Sequence, residues 1–264
     1  MGNLRTLGLR GAANARDLGG LPAADGRTVR TGLVFRAPAL GRLTDEDVDV
    51  LAGLGLTDLL DLRHGSEIAA APGDRLPAGP QVAHIPIFNP AHPVFTYVSA
   101  VLLGHDLSRY AGLAGEGTPG AMLTIYRWFA SAPDARSAFA TALRRICAAS
   151  GPLLYHCSAG KDRTGWLSAL LLGALGADHA TIVEDYLLTN EVTAEETAKL
   201  LSVLNVRKGV PPEALRPVLD AAPGYLDVAF AQVEAEYGTL DRYLREGLGL
   251  DEAELAALRN RLLD

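Results

Sequence analysis

One ten-residue string constrains this chain more than anything else in it: His156-Cys157-Ser158-Ala159-Gly160-Lys161-Asp162-Arg163-Thr164-Gly165. Pro152-Leu153-Leu154-Tyr155-His156 leads into it and reads as a short buried strand. Thr164 to Leu175 follows as an apolar helix, closed by Gly176. A loop running from a strand end into a helix start aims several backbone N–H groups at one point. The helix dipole adds partial positive charge there. A chain built on this unit belongs to the α/β class, and the loop suits an oxyanion such as a phosphate dianion.

The side chains turn that cradle into a reaction site. Cys157 and Arg163 frame five residues. Arg163 can grip two phosphate oxygens with its planar fork, which an ammonium cannot do, and Gly160 lets backbone approach without a Cβ in the way. The positive field favours the thiolate, the nucleophilic form of Cys157. Attack on phosphorus then gives a phosphocysteine that water discharges. Ser158, Ala159, Gly160, Lys161, Asp162 and Arg163 are the expected phosphate-binding residues. His156 orients the loop through hydrogen bonds, and the Thr164 hydroxyl stabilises the departing thiolate. Lys161 supplies charge for a phosphate, or else is an exposed loop lysine.

Other readings of the string fit less well. A nucleotide-binding P-loop needs Gly-x4-Gly-Lys-Ser/Thr, but Tyr155 stands at the first Gly position and Asp162 replaces the Ser/Thr. There is no Gly-x-Ser-x-Gly elbow. His84 and His92 come without a His-Cys zinc signature, so neither metal nor other cofactor is expected. A rhodanese-like sulfurtransferase also carries a strand-loop-helix cysteine, and a non-catalytic phospho-ligand binding module would keep the fold. The complete Cys, Arg and Thr set favours catalysis, because binding needs no thiol.

Composition narrows the setting. A net charge of −7 gives no basic footprint for nucleic acid, although a positive pocket can sit inside an acidic surface. Two cysteines, Cys147 and Cys157, make no disulfide framework and point to a reducing compartment. Cys147 lies on an apolar helix face and reads as core. Met-Gly-Asn-Leu-Arg-Thr has no apolar h-region, although it matches the loose myristoylation pattern. The longest apolar run, Trp166 to Ala177, is far short of the roughly 20 residues that span a bilayer. The expectation is a cytoplasmic protein without stable membrane insertion, with export lacking a signal peptide as the alternative. Arg outnumbers Lys 21 to 3, a bias typical of GC-rich bacterial coding. No feature fixes an oligomeric state.

Along the chain, residues 18–36 read as short strands or a hairpin around Asp25-Gly26. Thr44 caps a helix with Asp47 at its third position. Residues 57–62 and 81–87 read as strands, and 121–129 and 134–149 as helices. From 180 onward the pattern is helical throughout. Strands alternating with helices, then helices alone, give a single domain over 1–264 with a helical C-terminal portion at 178–264. Arg16, Asp17, Arg36, Asp61 and Arg63 are charged residues beside strands, expected to form a buried ion-pair network supporting the loop.

The loop resembles that of protein-tyrosine phosphatases, and especially the bacterial tyrosine and dual-specificity phosphatases. Asn14-Ala15-Arg16-Asp17-Leu18-Gly19-Gly20, Leu33-Val34-Phe35-Arg36-Ala37, Asp61-Leu62-Arg63 with Glu67, Asp185 to Asn190, and Tyr237-Gly238 with Tyr243-Leu244 extend the resemblance over nearly the whole chain. It implies a mostly parallel four- to five-stranded sheet flanked by helices, no metal, and a helical lid, for which 89–125 is the candidate. The substrates it implies are phosphotyrosine, phosphoserine or phosphothreonine, and phosphoinositides. It also implies a proton-donating Asp on a separate loop. The matching stretch Ile85-Pro86-Ile87-Phe88-Asn89-Pro90 offers only Asn89. The acid is therefore expected to be Asp162 in the loop itself, or Asp106 from the lid.

Overall fold

The computed structural model describes residues 5–103, 117–208 and 211–264. Its centre is a five-stranded sheet with spatial order β1-β2-β5-β3-β4, formed by β1 (Arg16–Asp17), β2 (Val34–Ala37), β3 (Asp58–Asp61), β4 (Gln81–His84) and β5 (Leu153–His156). β1 runs antiparallel to β2, and the other pairings are parallel. The fold is therefore the mostly parallel α/β sheet expected. The strand that launches the Cys157 loop is central, with Ala37 and Asp61 registered on either side of His156.

Side-chain alternation explains why both faces of the sheet are covered. Leu153 and Tyr155 of β5 point into one apolar cluster, and Leu154 points into the other. Val34 and Phe35 of β2 divide the same way, as do Leu60 and Leu59 of β3. Helix α1 (Asp45–Gly53) buries Leu51 on the smaller face. Thr44 and Asp47 form the reciprocal capping box that starts it.

A five-residue helix, α2 (Gly65–Ala69), follows β3, and α3 (Pro93–Leu103) follows β4. The larger face is covered by α4 (Gly117–Ser131), α5 (Pro133–Ala148) and α6 (Asp162–Ala174). The C-terminal part is helical: α7 (His179–Val192), α8 (Ala194–Lys208), α9 (Pro212–Leu219), α10 (Pro223–Tyr237) and α11 (Glu252–Leu262).

Two local expectations are corrected. The strand expected over 81–87 ends at His84: the Ile85 N–H still donates to the Asp61 carbonyl at 2.8 Å, but the Ile87 N–H reaches Leu62 at 3.1 Å, one residue on instead of two, so the regular parallel register is lost. Asp17 joins no ion pair among the described residues; its carboxylate accepts from the Gly19 and Gly32 N–H groups and fixes the turn between β1 and β2. Among the described residues no helix is long and apolar enough to cross a membrane.

Candidate active site

The loop between β5 and α6 is held from behind. The Gly160 carbonyl accepts from Arg36 at 2.8 Å and from the Asn14 amide at 3.0 Å, and Asn14 also reaches the Ala159 carbonyl at 3.2 Å. A trans peptide sets C=O and N–H on opposite sides, so anchoring this carbonyl turns the Lys161 N–H the other way. Gly160 itself sits at φ +65° against the end of β2. A Cβ there would lie 2.6 Å from the Pro38 nitrogen and 2.7 Å from the Ala37 carbonyl. Glycine is required on both counts.

Arg36 and Arg16 are themselves fixed by one carboxylate. Asp185 on α7 accepts from Arg36 at 2.7 Å, from Arg16 at 3.1 Å and from Arg5 at 2.7 Å. Arg16, Arg36 and Asp185 are all essentially inaccessible. Burial raises the Asp185 pKa, but the three guanidiniums override it and hold the carboxyl well below the usual carboxylate range. Of the residues expected in one network, Arg16 and Arg36 are joined through Asp185, whereas Arg63 pairs separately with Asp61 and Asp74.

In front of the loop lies a residue whose role sequence reading missed. Glu67, at the third position of α2, takes the Arg163 fork with both oxygens, at 2.6 and 2.7 Å. The Ser158 hydroxyl donates to the same carboxylate at 2.6 Å, and the His64 N–H does so at 2.9 Å. Burial works against the charged carboxylate, yet Arg163 and these donors pull its pKa down to about 2. Burial likewise disfavours the Arg163 cation. The Cys157 sulfur and Glu67 outweigh it and raise the Arg163 pKa above its ordinary value. Cys157 is only 2% exposed, at the floor of the loop.

Lys161 is corrected outright as an exposed or phosphate-directed side chain. It is 1% exposed, and its ammonium donates to the carbonyls of Val218 at 2.5 Å and Asp220 at 3.1 Å, at the end of α9. The negative end of a helix holds that charge. The Asp162 carboxylate is about a quarter exposed. Its Oδ1 accepts from the Tyr126 hydroxyl at 2.9 Å and lies 3.4 Å from the Lys161 ammonium.

His156 is fully buried, with Nδ1 3.4 Å from the Cys157 carbonyl. Burial lowers its pKa, more than the nearby Asp61 and Asp74 raise it. Asp61, Asp74 and His156 bring potential metal-ligand atoms within 4.8 Å of one another. However, Arg63 donates to both carboxylates and already supplies the cation there. The Thr164 hydroxyl is buried and has no hydrogen-bond partner among the described residues. Asn89 accepts from the Ala91 N–H as a turn residue. Asp106 lies outside the described residues.

A cleft of about 640 Å³ opens beside the loop. Ser158 and Ala159 border it, with Asn14, Arg42, and Leu200 and Val203 of α8 among its other walls.

Residues 7–264 match the sequence model of the tyrosine phosphatase family. The chain belongs to that family. It is 32% identical over 249 residues to a protein of Cupriavidus necator assigned as a tyrosine-protein phosphatase, covering 92% of this chain and 84% of that one. It is also 32% identical over 276 residues to the triple specificity protein phosphatase PtpB of Mycobacterium tuberculosis, covering 97% of this chain and 98% of PtpB. A tyrosine-protein phosphatase of Nostoc commune is 28% identical over 247 residues, 91% of this chain and 78% of that protein. The chain is accordingly a phosphatase, a phosphoric monoester hydrolase. Within this family, Glu67 was visible in sequence as the last residue of Asp-Leu-Arg-x3-Glu, but nothing there tied it to Arg163.

Proposed function

We propose that the phosphatase works through a phosphocysteine on Cys157, with Asp162 as proton donor. The observation that carries the reading is the Glu67–Arg163 fork beside Cys157 at the β5–α6 turn. An arginine held at both terminal nitrogens is pre-oriented rather than free to wander, which favours in-line attack. In the first step the Cys157 sulfur forms a bond to phosphorus and the bond to the leaving oxygen breaks. That oxygen takes its electron pair and the proton of Asp162. In the second step water attacks phosphorus and gives a proton back to Asp162. The S–P bond breaks, and its pair returns to sulfur as thiolate. The Thr164 hydroxyl, which has no partner among the described residues, is available to that thiolate. Loop N–H groups and the start of α6 hold the phosphoryl oxygens.

The cleft supports a reading of the substrate class. Its walls combine the Arg42 side chain with apolar α8 residues, which suits a phosphorylated group larger than phosphate itself. Phosphotyrosine is the primary reading. Phosphoserine, phosphothreonine and phosphoinositides are included by similarity to the triple specificity phosphatase. We read 1–264 as one catalytic domain, whose lid draws on the described parts of 89–125 and on α8. Phe95 of α3 packs edge-on to Trp128 of α4 at 4.9 Å.

A panel of phosphotyrosine peptide, phosphoserine peptide and phosphoinositide, run with wild type and Asp162→Asn, tests both claims. The expected result is turnover of all three by wild type. In Asp162→Asn the alkyl esters should lose about 10²-fold or more, with a smaller loss on the aryl ester. Equal loss on all three would remove Asp162 as the acid.

A further inference from the structure

Tyr126 on α4 and Tyr186 on α7 are 0% and 1% exposed, yet their hydroxyls meet at 2.7 Å beside the loop. A buried phenol hydroxyl is costly without a partner, and Tyr126 has two: the Tyr186 hydroxyl and Asp162 Oδ1 at 2.9 Å. We propose that Tyr126, backed by Tyr186, is a positioning residue for proton transfer, fixing one oxygen of Asp162 so that the other carries the proton. This rests on the reading of Asp162 as proton donor.

The hydrogen-bond inventory sets the direction of the chain. A phenol carries one proton and accepts through its lone pairs, whereas a carboxylate only accepts. Tyr126 therefore donates to Asp162 and accepts from Tyr186. The Tyr126 ring cannot swing away, since Tyr225 stacks on it at 5.4 Å and Phe129 meets it edge-on at 5.3 Å. Burial first, and the Asp162 charge second, raise the Tyr126 pKa well above its ordinary value. The hydroxyl remains a proton-bearing donor throughout the working range.

Oδ1 of Asp162 is thus held by Tyr126, with the Lys161 ammonium 3.4 Å away. Oδ2 accepts no hydrogen bond among the described residues. A carboxyl free at both oxygens samples many orientations, whereas one fixed at Oδ1 presents Oδ2 in a narrow range of directions. The two tyrosines come from helices on different sides of the loop in sequence, 36 residues before Asp162 and 60 residues after Tyr126. The orientation of the acid is therefore set by packing of α4 against α7 and α10, and not by the loop alone.

The test compares the full chain as wild type, Tyr126→Phe, Tyr186→Phe and Asp162→Asn. Each is assayed for kcat/KM on para-nitrophenyl phosphate, which leaves well unaided, and on an alkyl phosphate, which needs the proton. For Tyr126→Phe the alkyl substrate should lose about tenfold more than the aryl one, with a smaller loss of the same kind for Tyr186→Phe. Phe keeps the ring, so Tyr186→Phe should melt close to wild type, whereas Tyr126→Phe takes the partner from the buried Tyr186 hydroxyl and should melt lower while still folding. If Tyr126→Phe does not fold, Tyr186→Phe carries the comparison. A loss of equal size on both substrates, or none, overturns the proposal and leaves only a packing role. If Asp162→Asn shows no leaving-group-dependent loss, the underlying reading fails. If Asp162→Asn shows it and the tyrosine variants do not, only the positioning role fails.

Discussion

Glu67 spends its whole carboxylate on aligning the loop: one fork to Arg163, with the Ser158 hydroxyl and the His64 N–H completing it. Replacing it with glutamine keeps the size but removes the charge and one acceptor. Glu67→Gln is expected to lower kcat/KM on an aryl phosphate by about 10²-fold, through misplacement of Arg163. Phosphate-release kinetics check this, and activity within a few-fold of wild type would contradict it. With its pKa at about 2, Glu67 remains ionised at any assay pH well above that value. It therefore contributes no acid limb near neutrality. Cys157, Arg163 and Gly160 could be picked out as candidates from sequence because they lie within one local string. The sequence hid the Arg163 partner because Glu67 lies 96 residues away, and it hid the fate of the Lys161 ammonium because Val218 is 57 residues away. Charge at a loop position is legible in sequence, whereas its direction depends on what the fold brings alongside.

Among elements, the β5–α6 unit is where the supporting network concentrates. Asp185 on α7 holds Arg16 and Arg36 behind it. Removing that carboxylate leaves two buried cations without their partner. Asp185→Ala is expected to destabilise the protein by about 3–5 kcal/mol, read as a lower denaturant midpoint; an unchanged midpoint would contradict the hub. Gly160→Ala meets both a left-handed φ and the Ala37–Pro38 backbone. It should cost about 1–3 kcal/mol of strain and weaken phosphate inhibition, measured by titration against an aryl substrate. Elements with strong local signals were readable, such as the capped α1 and the apolar α6. Helix α2 was not, because five residues give too little periodicity. It is nonetheless the element that delivers Glu67.

For the whole molecule, the buried charges tie stability to pH in one direction. Glu67 and Asp185 have pKa values below their ordinary ones of 4.5 and 3.8, and buried His156 lies below 6.5. In each case the unfolded chain binds the proton more readily, so the stabilisation from these three groups is complete above about 6.5 and falls with acidification. His156 contributes the first loss, below about 6.5, and the two carboxylates contribute theirs below about 4.5. Urea midpoints should drop steadily over that range; constant midpoints would contradict the buried network. The proposed mechanism turns on one covalent event at Cys157, next to the central strand. The most direct test is acid quenching of the enzyme during turnover of an aryl phosphate, followed by mass mapping of the peptide that contains Cys157. A phosphoryl group on Cys157 in wild type, with neither adduct nor turnover in Cys157→Ser, is the predicted result. Turnover by Cys157→Ser, or a phosphoryl group on another residue, would contradict the mechanism.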